Sequence, residues 1–432
     1  MGASNADNLL YFSLDQVLSP YVYVFTGAWL MAFVMTPIMR RLALRNGIVD
    51  WPDLARKHHR EPVAYLGGVA VFLGWAAGVM ISFNTVPHSS TPELTLGAVH
   101  FPISIIFGAL LIAIVGLFDD VYGVSPRVKV GGQLIAAAML AGQTVGTNLA
   151  SGLFTSIGET WGFDPTMIPG FDQIVYWLGA LIVVVFVLGG CNAANLLDGL
   201  DGLAGGVTGI VAAGLTFIAV ALAMGLYGTD GAYSPFEMDP VRVVTCLALL
   251  GAVLGFLPYN FHPANIFMGD TGSMLLGYLC VSTILLFAEK GDSRLVMAAM
   301  IVFAVPIIDT AMAIIRRKSK GQPIFSPDNY HLHHQLVRAG FSVRQSVVLL
   351  YILAMGFAVL GSLLIFIRLR YVASVFLVVL GFIVVITYKV GHRQHQTELA
   401  RKAEESAESK PEPQPQSAPE PASDHRSDVT AT

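Results

Sequence analysis

Eleven apolar runs, each close to 20 residues long, divide this chain into segments that only a lipid bilayer can accommodate. An apolar stretch of about 20 residues matches the hydrocarbon thickness when helical. A helix also closes its backbone hydrogen bonds within itself, as a lipid-exposed segment must. The runs fall at about 20–39, 66–83, 100–118, 130–149, 173–190, 204–225, 241–259, 272–288, 295–315, 346–366 and 372–388. Only 12% of residues are charged against 54% hydrophobic, which excludes an ordinary soluble domain. The expected fold is all-α: a polytopic integral membrane protein with about eleven transmembrane helices.

Loop charge orients the bundle. Twenty of the 25 Lys and Arg lie in the connections 40–65, 119–129, 191–203, 260–271 and 316–345 and in the tail from Lys389. The opposite side holds only Arg242, Lys290, Arg294, Arg368 and Arg370. Basic loops stay in the cytoplasm, so the N-terminus is expected outside and the C-terminus inside, in the inner or plasma membrane. Residues 1–19 form a short N-terminal segment without the basic start and apolar core of a cleavable signal. Residues 20–390 form the membrane-embedded domain. Residues 391–432, rich in Glu, Ser, Pro, Gln and Ala, read as a disordered cytoplasmic tail. Cys191, Cys246 and Cys280 sit in or at the ends of apolar runs and make neither a disulfide framework nor a zinc site. Membrane lipids are expected partners and nucleic acid is not; a homodimer is left open.

The polar content is distributed unevenly, and every unusual loop falls on the cytoplasmic side. Gly190–Gly206 reads G-C-N-A-A-N-L-L-D-G-L-D-G-L-A-G-G and sets Asn192, Asn195, Asp198 and Asp201 between two spans. Asn192 and Asn195 are three apart, as are Asp198 and Asp201, so each pair shares a face if helical. Carboxylate and carboxamide oxygens suit Mg²⁺, which takes one or two protein ligands plus phosphate and water. No G-x-x-x-x-G-K-[ST] loop accompanies them, which excludes a nucleotide-hydrolysing phosphate loop. The opposite loops, 85–99, 150–172 and 226–240, read as Gly/Pro/Ser/Thr connectors.

Asp119 and Asp120 end the third span, where a helix C-terminus is already negative. A cation should offset them: a divalent metal, or Arg127 and Lys129. Adjacent residues point about 100° apart on a helix. One carboxylate therefore faces a pocket as base or metal-linked acid while its neighbour holds a cation, unless both simply cap the helix. Lys57 and His58, beside Pro62–Gly68, are candidate contacts for an anionic substrate. Asp270 and Thr271 open the eighth span at expected N-cap positions, whose free amides attract phosphate. His331, His333 and His334 follow a basic run and lack the usual zinc spacings, so phosphate recognition is the better reading. Asp309 is expected to pair with Arg316. Together these groups point to phosphoryl transfer, which works mainly by positioning and charge neutralisation.

These motifs resemble the polyprenyl-phosphate N-acetylhexosamine-1-phosphate transferases over about residues 20–390. The similar pieces are L-F-D-D at 117–120, N-A-A-N-L-L-D-G-L-D-G-L at 192–203, F-M-G-D-T-G-S at 267–273 and D-N-Y-H-L-H-H at 328–334. The resemblance implies an enzyme that moves a sugar 1-phosphate from a UDP-sugar to undecaprenyl phosphate. UMP is released and a lipid-linked cell-envelope glycan is initiated. It further implies Asn195 and Asp270 as ligands of Mg²⁺, with Mn²⁺ an alternative, Asp201 as a uracil contact and Lys129 as a phosphate contact. Asp119 and Asp120 resemble the pair that activates the lipid phosphate, and His331, His333 and His334 the segment that engages substrate. Asp198 is either a substrate contact or a structural cap.

Two departures from the family pattern stand out. Ala64-Tyr65 occupies positions that often carry Pro and Arg before Leu-Gly-Gly. His331-Leu-His-His334 is followed by Gln335-Leu336, which favours UDP-GlcNAc over the peptidoglycan precursor as donor. A carboxylate-coupled transporter is the competing class, and it would need acidic residues deep in the spans.

Overall fold

In the computed structural model the described residues are 13–51, 62–85, 101–226, 239–289, 291–319, 321, 331–382, 384–385 and 389. Lys57, His58, Asp328 and the tail expected at 391–432 lie outside them. The described chain is an all-α membrane bundle, as apolar runs of this length require. α1 (Leu14–Leu18) leads into α2 (Val22–Arg45), followed by α3 (Gly67–Thr85), α4 (Ile103–Tyr122), α5 (Pro126–Gly142) and α6 (Asn148–Trp161). Next come α7 (Phe171–Leu197), α8 (Leu203–Ala223), α9 (Asp239–Asn260) and α10 (Gly269–Leu286). α11 (Ser293–Val302) and α12 (Ala304–Ser319) meet at a 78° bend. The short α13 (Leu332–Arg338) and the long α14 (Val343–Leu364) precede a final helix, Leu369–Phe382.

Among the described residues, eight helices are long and apolar enough to cross a membrane, or nine if the bent pair is one crossing. The runs at 130–149 and 372–388 fold as shorter helices, α5 and Leu369–Phe382. The stretch 150–172 is more than a connector. Leu149, Leu153, Ile157 and Trp161 recur every four residues and give α6 an apolar side, of which Leu149 is buried against the bundle.

Two kinds of helix make the bundle. α7 and α14 keep most of their surface outward and are among the most apolar, whereas α10 is 94% buried and far less apolar. Lipid demands hydrocarbon; protein neighbours accept small polar residues. α10 accordingly carries Gly272, Ser273, Gly277, Ser282 and Thr283, all buried. A Cβ on Gly277 would run into the carbonyl of Gly190 on α7, so α7 and α10 pack backbone to backbone. That contact sets the distance between the two helices on which the site depends.

A small β-structure fixes the approach to α10. β1 (Val49–Asp50) pairs antiparallel with β2 (Val63–Ala64), and Ala64 bridges in parallel to Ile266. Phe267 N donates to Ala64 O at 2.8 Å, and Gly67 N donates to Phe267 O at 3.0 Å. The segments before α3 and α10 are thereby tied together at one end of the bundle.

Candidate active site

At that end the last turn of α7, the first turn of α10 and the loops beside them line a cavity of about 800 Å³, and Asp119, Asp120 and Lys129 stand behind its wall, joined to it through Asp270. Its wall includes Asn195, Asp198, Asp201, Asp270 and His334.

Asp119 and Asp120 diverge, as their neighbouring positions on a helix dictate. Asp120 accepts from Asp270 N at 2.7 Å, Thr271 N at 3.0 Å and Thr271 Oγ1 at 2.6 Å. It caps α10 from a different helix, placing an anion on the positive end of the dipole. Asp270 and Thr271 are therefore inside the first turn rather than at the cap, and Asp270 is released from the capping role expected of it. Asp119 accepts from Val124 N at 3.0 Å and pairs with Lys129 Nζ at 2.6 Å. Lys129 bridges onward to Asp270. Arg127, expected to share this work, is exposed and has no partner among the described residues.

Asn195 and Asp270 come from helices 75 positions apart in sequence, yet Asn195 Nδ2 donates to Asp270 Oδ1 at 2.9 Å. The same nitrogen donates to Ser273 Oγ at 3.0 Å, which leaves the side-chain oxygen Oδ1 of Asn195 uncommitted among the described residues. Asp198, at the C-cap of α7, faces Asp270, Asp120 and Asp201. Burial first, and these carboxylates after it, push its carboxyl up to about 8. No cation offsets it among the described residues. Asp201 uses one oxygen to hold the loop before α10, bonding to His262 Nδ1 at 2.7 Å and accepting from Ala264 N at 3.1 Å.

The three histidines separate into three situations. His331 Nδ1 is 2.9 Å from Asp309 Oδ2, and Leu332 N donates to Asp309 Oδ1 at 2.8 Å. The carboxylate expected to meet Arg316 thus holds the histidine segment instead, because α12 passes beneath it. His333 is 1% exposed, and neither ring nitrogen has a partner. Burial pushes its imidazole down to about 3, so it is neutral at physiological pH. It presses against Gly199, where a Cβ would strike the ring. His334 alone of the three lines the cavity.

Several contributors have roles that the sequence does not assign. Tyr351, a lone phenol in the apolar α14, donates to Gly202 O at 2.5 Å, while Asn260 Oδ1 accepts from Gly202 N at 3.1 Å. Between them they clamp the turn after Asp201. Tyr65 lies against Phe267, ring centroids 6.0 Å apart, and bonds to Asp50. Burial and then Asp50 raise its phenol well above the ordinary value, so it stays protonated.

Among the described residues no three His, Cys, Asp or Glu form a cluster that could enclose a metal. A hard divalent ion needs less: one or two carboxylates or amide oxygens, with water and substrate oxygens completing the shell. Asp270, Asn195 Oδ1 and the uncompensated Asp198 fit that requirement. Soft or imidazole-seeking metals are not served, since His331 is committed to Asp309.

A helical bundle that gathers carboxylates and amides around a cavity at one end has the donor set a membrane-embedded transferase needs. The Glycosyl transferase family 4 model matches residues 102–288. The chain is 36% identical over 348 residues to the probable undecaprenyl-phosphate N-acetylglucosaminyl 1-phosphate transferase of Bacillus subtilis (strain 168), covering 80% of this chain and 85% of that one. It belongs to the polyprenyl-phosphate N-acetylhexosamine-1-phosphate transferases and is an enzyme. It is also 36% identical over 343 residues to the decaprenyl-phosphate N-acetylglucosaminephosphotransferase of Mycolicibacterium smegmatis, covering 75% of this chain and 77% of the relative. The undecaprenyl-phosphate alpha-N-acetylglucosaminyl 1-phosphate transferase of Escherichia coli (strain K12) is 28% identical over 366 residues, with 82% and 84% covered.

Proposed function

We propose that this enzyme transfers GlcNAc-1-phosphate from UDP-GlcNAc to undecaprenyl phosphate, releasing UMP, in a Mg²⁺-dependent reaction at the cytoplasmic membrane face. The observation that carries the reading is the meeting of Asn195 and Asp270 on the cavity wall with Asp198 facing them uncompensated. The relatives' names support the sugar and the lipid. The cavity wall includes Arg40 and Asp50 from the connection 40–65 and His334 and Val343 from 316–345, the two connections richest in Lys and Arg, which supports the cytoplasmic side. Eleven crossings fit the same orientation when the bent pair, α5 and Leu369–Phe382 join the eight long helices.

Mg²⁺, or Mn²⁺ in its place, would be held by Asn195 and Asp270 beside Asp198 and would supply neutralisation of the donor diphosphate. The chain's own groups do the rest. Lys129, held by Asp119, receives the charge of the lipid phosphate. Asp201 and the loop it holds bind the nucleoside end, and His334 contacts phosphate from the opposite wall. An oxygen of the lipid phosphate attacks the sugar-linked phosphorus, the bond to the UMP oxygen breaks, and UMP departs with that oxygen. A route through an aspartyl phosphate is disfavoured by geometry. Asp120 accepts three hydrogen bonds from α10, and both oxygens of Asp119 are engaged.

The test is UMP release by purified enzyme given UDP-GlcNAc, undecaprenyl phosphate and Mg²⁺, alongside a panel of other UDP-sugars. Release that depends on all three components is expected. Failure with every UDP-sugar would remove the reaction from consideration. Accumulation of a phosphorylated carboxylate with UDP-GlcNAc alone would overturn direct attack.

A further inference from the structure

Asp309 belongs to no part of the cavity wall, yet it is 0% exposed, with its polar side chain in the interior. An ionised carboxylate is costly to bury unless its oxygens are fully engaged. Here they are engaged in one direction. Oδ2 meets His331 Nδ1 at 2.9 Å, and Oδ1 accepts from Leu332 N at 2.8 Å. These two donors are the N-cap and first residue of α13. Asp309 therefore grips the start of that short helix and little else.

What α13 carries is the reason the grip matters. His331 and His333 stack in parallel, 5.8 Å apart with planes at 7°. His333 and His334 are 4.2 Å apart. His333 packs on Gly199, in the turn between Asp198 and Asp201, and His334 stands in the cavity wall. With neither nitrogen of His333 hydrogen-bonded, the central ring holds its place by packing alone. Hydrogen bonds to Asp309 locate the His331 end of the stack.

We propose that Asp309 is a positioning residue for the transfer reaction. It acts through His331 to set where His334 stands in the cavity wall and where His333 presses on the Asp198–Asp201 turn. The carboxylate also orients the ring: Nδ1 is turned to Asp309 and Nε2 away from it. This inference rests on the transfer reaction proposed above.

The experiment measures kcat and KM for UDP-GlcNAc in four variants, with wild-type UMP release as the reference. Asp309→Asn keeps the shape but has one oxygen for two N–H donors, so the His331 ring must change tautomer or turn away. A displacement of about 1 Å near reacting groups costs on the order of 100-fold. The expected result is a fall in kcat of that size with KM changed less than about threefold. His331→Ala should fall similarly, and the double variant should be no slower than His331→Ala, because the two residues act as one unit. His331→Asn returns an N–H near the Nδ1 position and a competent N-cap, so it should recover at least about tenfold over His331→Ala.

An Asp309→Asn enzyme within threefold of wild type would overturn the proposal, as would losses that multiply in the double variant. Should Asp309→Asn fail to fold, the comparison of His331→Asn with His331→Ala decides, and equal rates for those two would sink the positioning role. A wild type that releases no UMP from any UDP-sugar would count against the reaction itself, a separate outcome.

Discussion

α10 is held at its two ends by opposite charges, and the ends differ in what is left over. At the far end Arg242, 2% exposed on the first turn of α9, donates to Leu286 O through Nε at 3.1 Å and Nη2 at 3.0 Å. It also pairs with Glu289 at 3.1 Å and lies over the Phe287 ring. At the cavity end Asp120 accepts from the α10 amides. An anion at the N-terminus and a cation at the C-terminus both complement the helix dipole. The far end is then electrostatically closed. At the cavity end Asp119, Asp198, Asp201 and Asp270 remain among the described residues, with Lys129 bridging two of them, His262 on Asp201, and Arg40 in the cavity wall donating to Asn265 O instead. Charge that serves the fold is matched within the fold, and charge that serves chemistry is in surplus until substrate or metal arrives.

The sharpest way to break this contrast is Asp270→Asn. It should remove about 10³-fold of turnover, the scale lost when one electrostatic contact to a transition state is deleted. Thermal stability should fall only slightly, because the ion pair lost with Lys129 is partly exposed. UMP release and a melting curve on the same preparation check both halves. A large loss of stability together with activity would make Asp270 another Asp120.

Asp198→Asn should cost less turnover, about 10²-fold, and expose the surplus directly. The Asp198 carboxyl is pushed up to about 8 in the folded protein from an ordinary 3.8. Below about pH 4 both folded and unfolded chains are protonated there, so no penalty exists. As pH rises toward 8 the unfolded chain ionises first, and the folded state progressively loses stability. Cation-free wild type should therefore melt at a lower temperature above pH 8 than at pH 5, other groups being common to both proteins, by more than Asp198→Asn does. Added Mg²⁺ should flatten the wild-type slope. Parallel slopes in the two proteins would show that Asp198 is not the uncompensated charge.

Arg242→Met probes the closed end. Removing one partner of a buried pair costs on the order of 3 kcal/mol, the low end of the range because Glu289 is 31% exposed. Turnover per folded molecule should stay within about twofold. A specific drop in kcat without a drop in melting temperature would mean that the far end also takes part in catalysis.

This contrast also explains what could be read from the chain alone. Span length and loop charge expose the membrane bundle, because lipid penalises every deviation from about 20 apolar residues. The Asn195 and Asp270 motifs are local and polar in apolar surroundings, so they stand out. Partnerships do not. Asp120 as the cap of α10 lies 150 positions from the amides it receives, and Asp309 lies 22 from His331. Periodicity says nothing about which helix passes beside another. The α6 helix is hidden for a different reason: its Gly, Ser and Thr content resembles a loop, and packing against α7 overrides weak propensity.

Asn192 is the case in which position and partnership disagree, and it gives the smallest expected effect. It belongs to the same motif as Asn195, one turn away, so proximity assigns it to the site. Its hydrogen bonds assign it to the fold: Nδ2 donates to Leu188 O at 2.7 Å and to Gln133 Oε1 at 2.9 Å, and Gln133 is fully buried. If matched polar groups serve structure even at the cavity end, Asn192→Leu should leave turnover within about threefold. It should lower stability by roughly 1–3 kcal/mol, since Gln133 is left with an unpaired oxygen. Replacing Gln133 by Met in the same chain should restore most of that stability, because removing both partners leaves nothing unsatisfied. Asn195→Leu, by contrast, should lose about 10²-fold in turnover. Equal catalytic losses at 192 and 195 would show that a satisfied hydrogen bond does not mark a structural residue here, and the division between the two ends of α10 would have to be drawn by location alone.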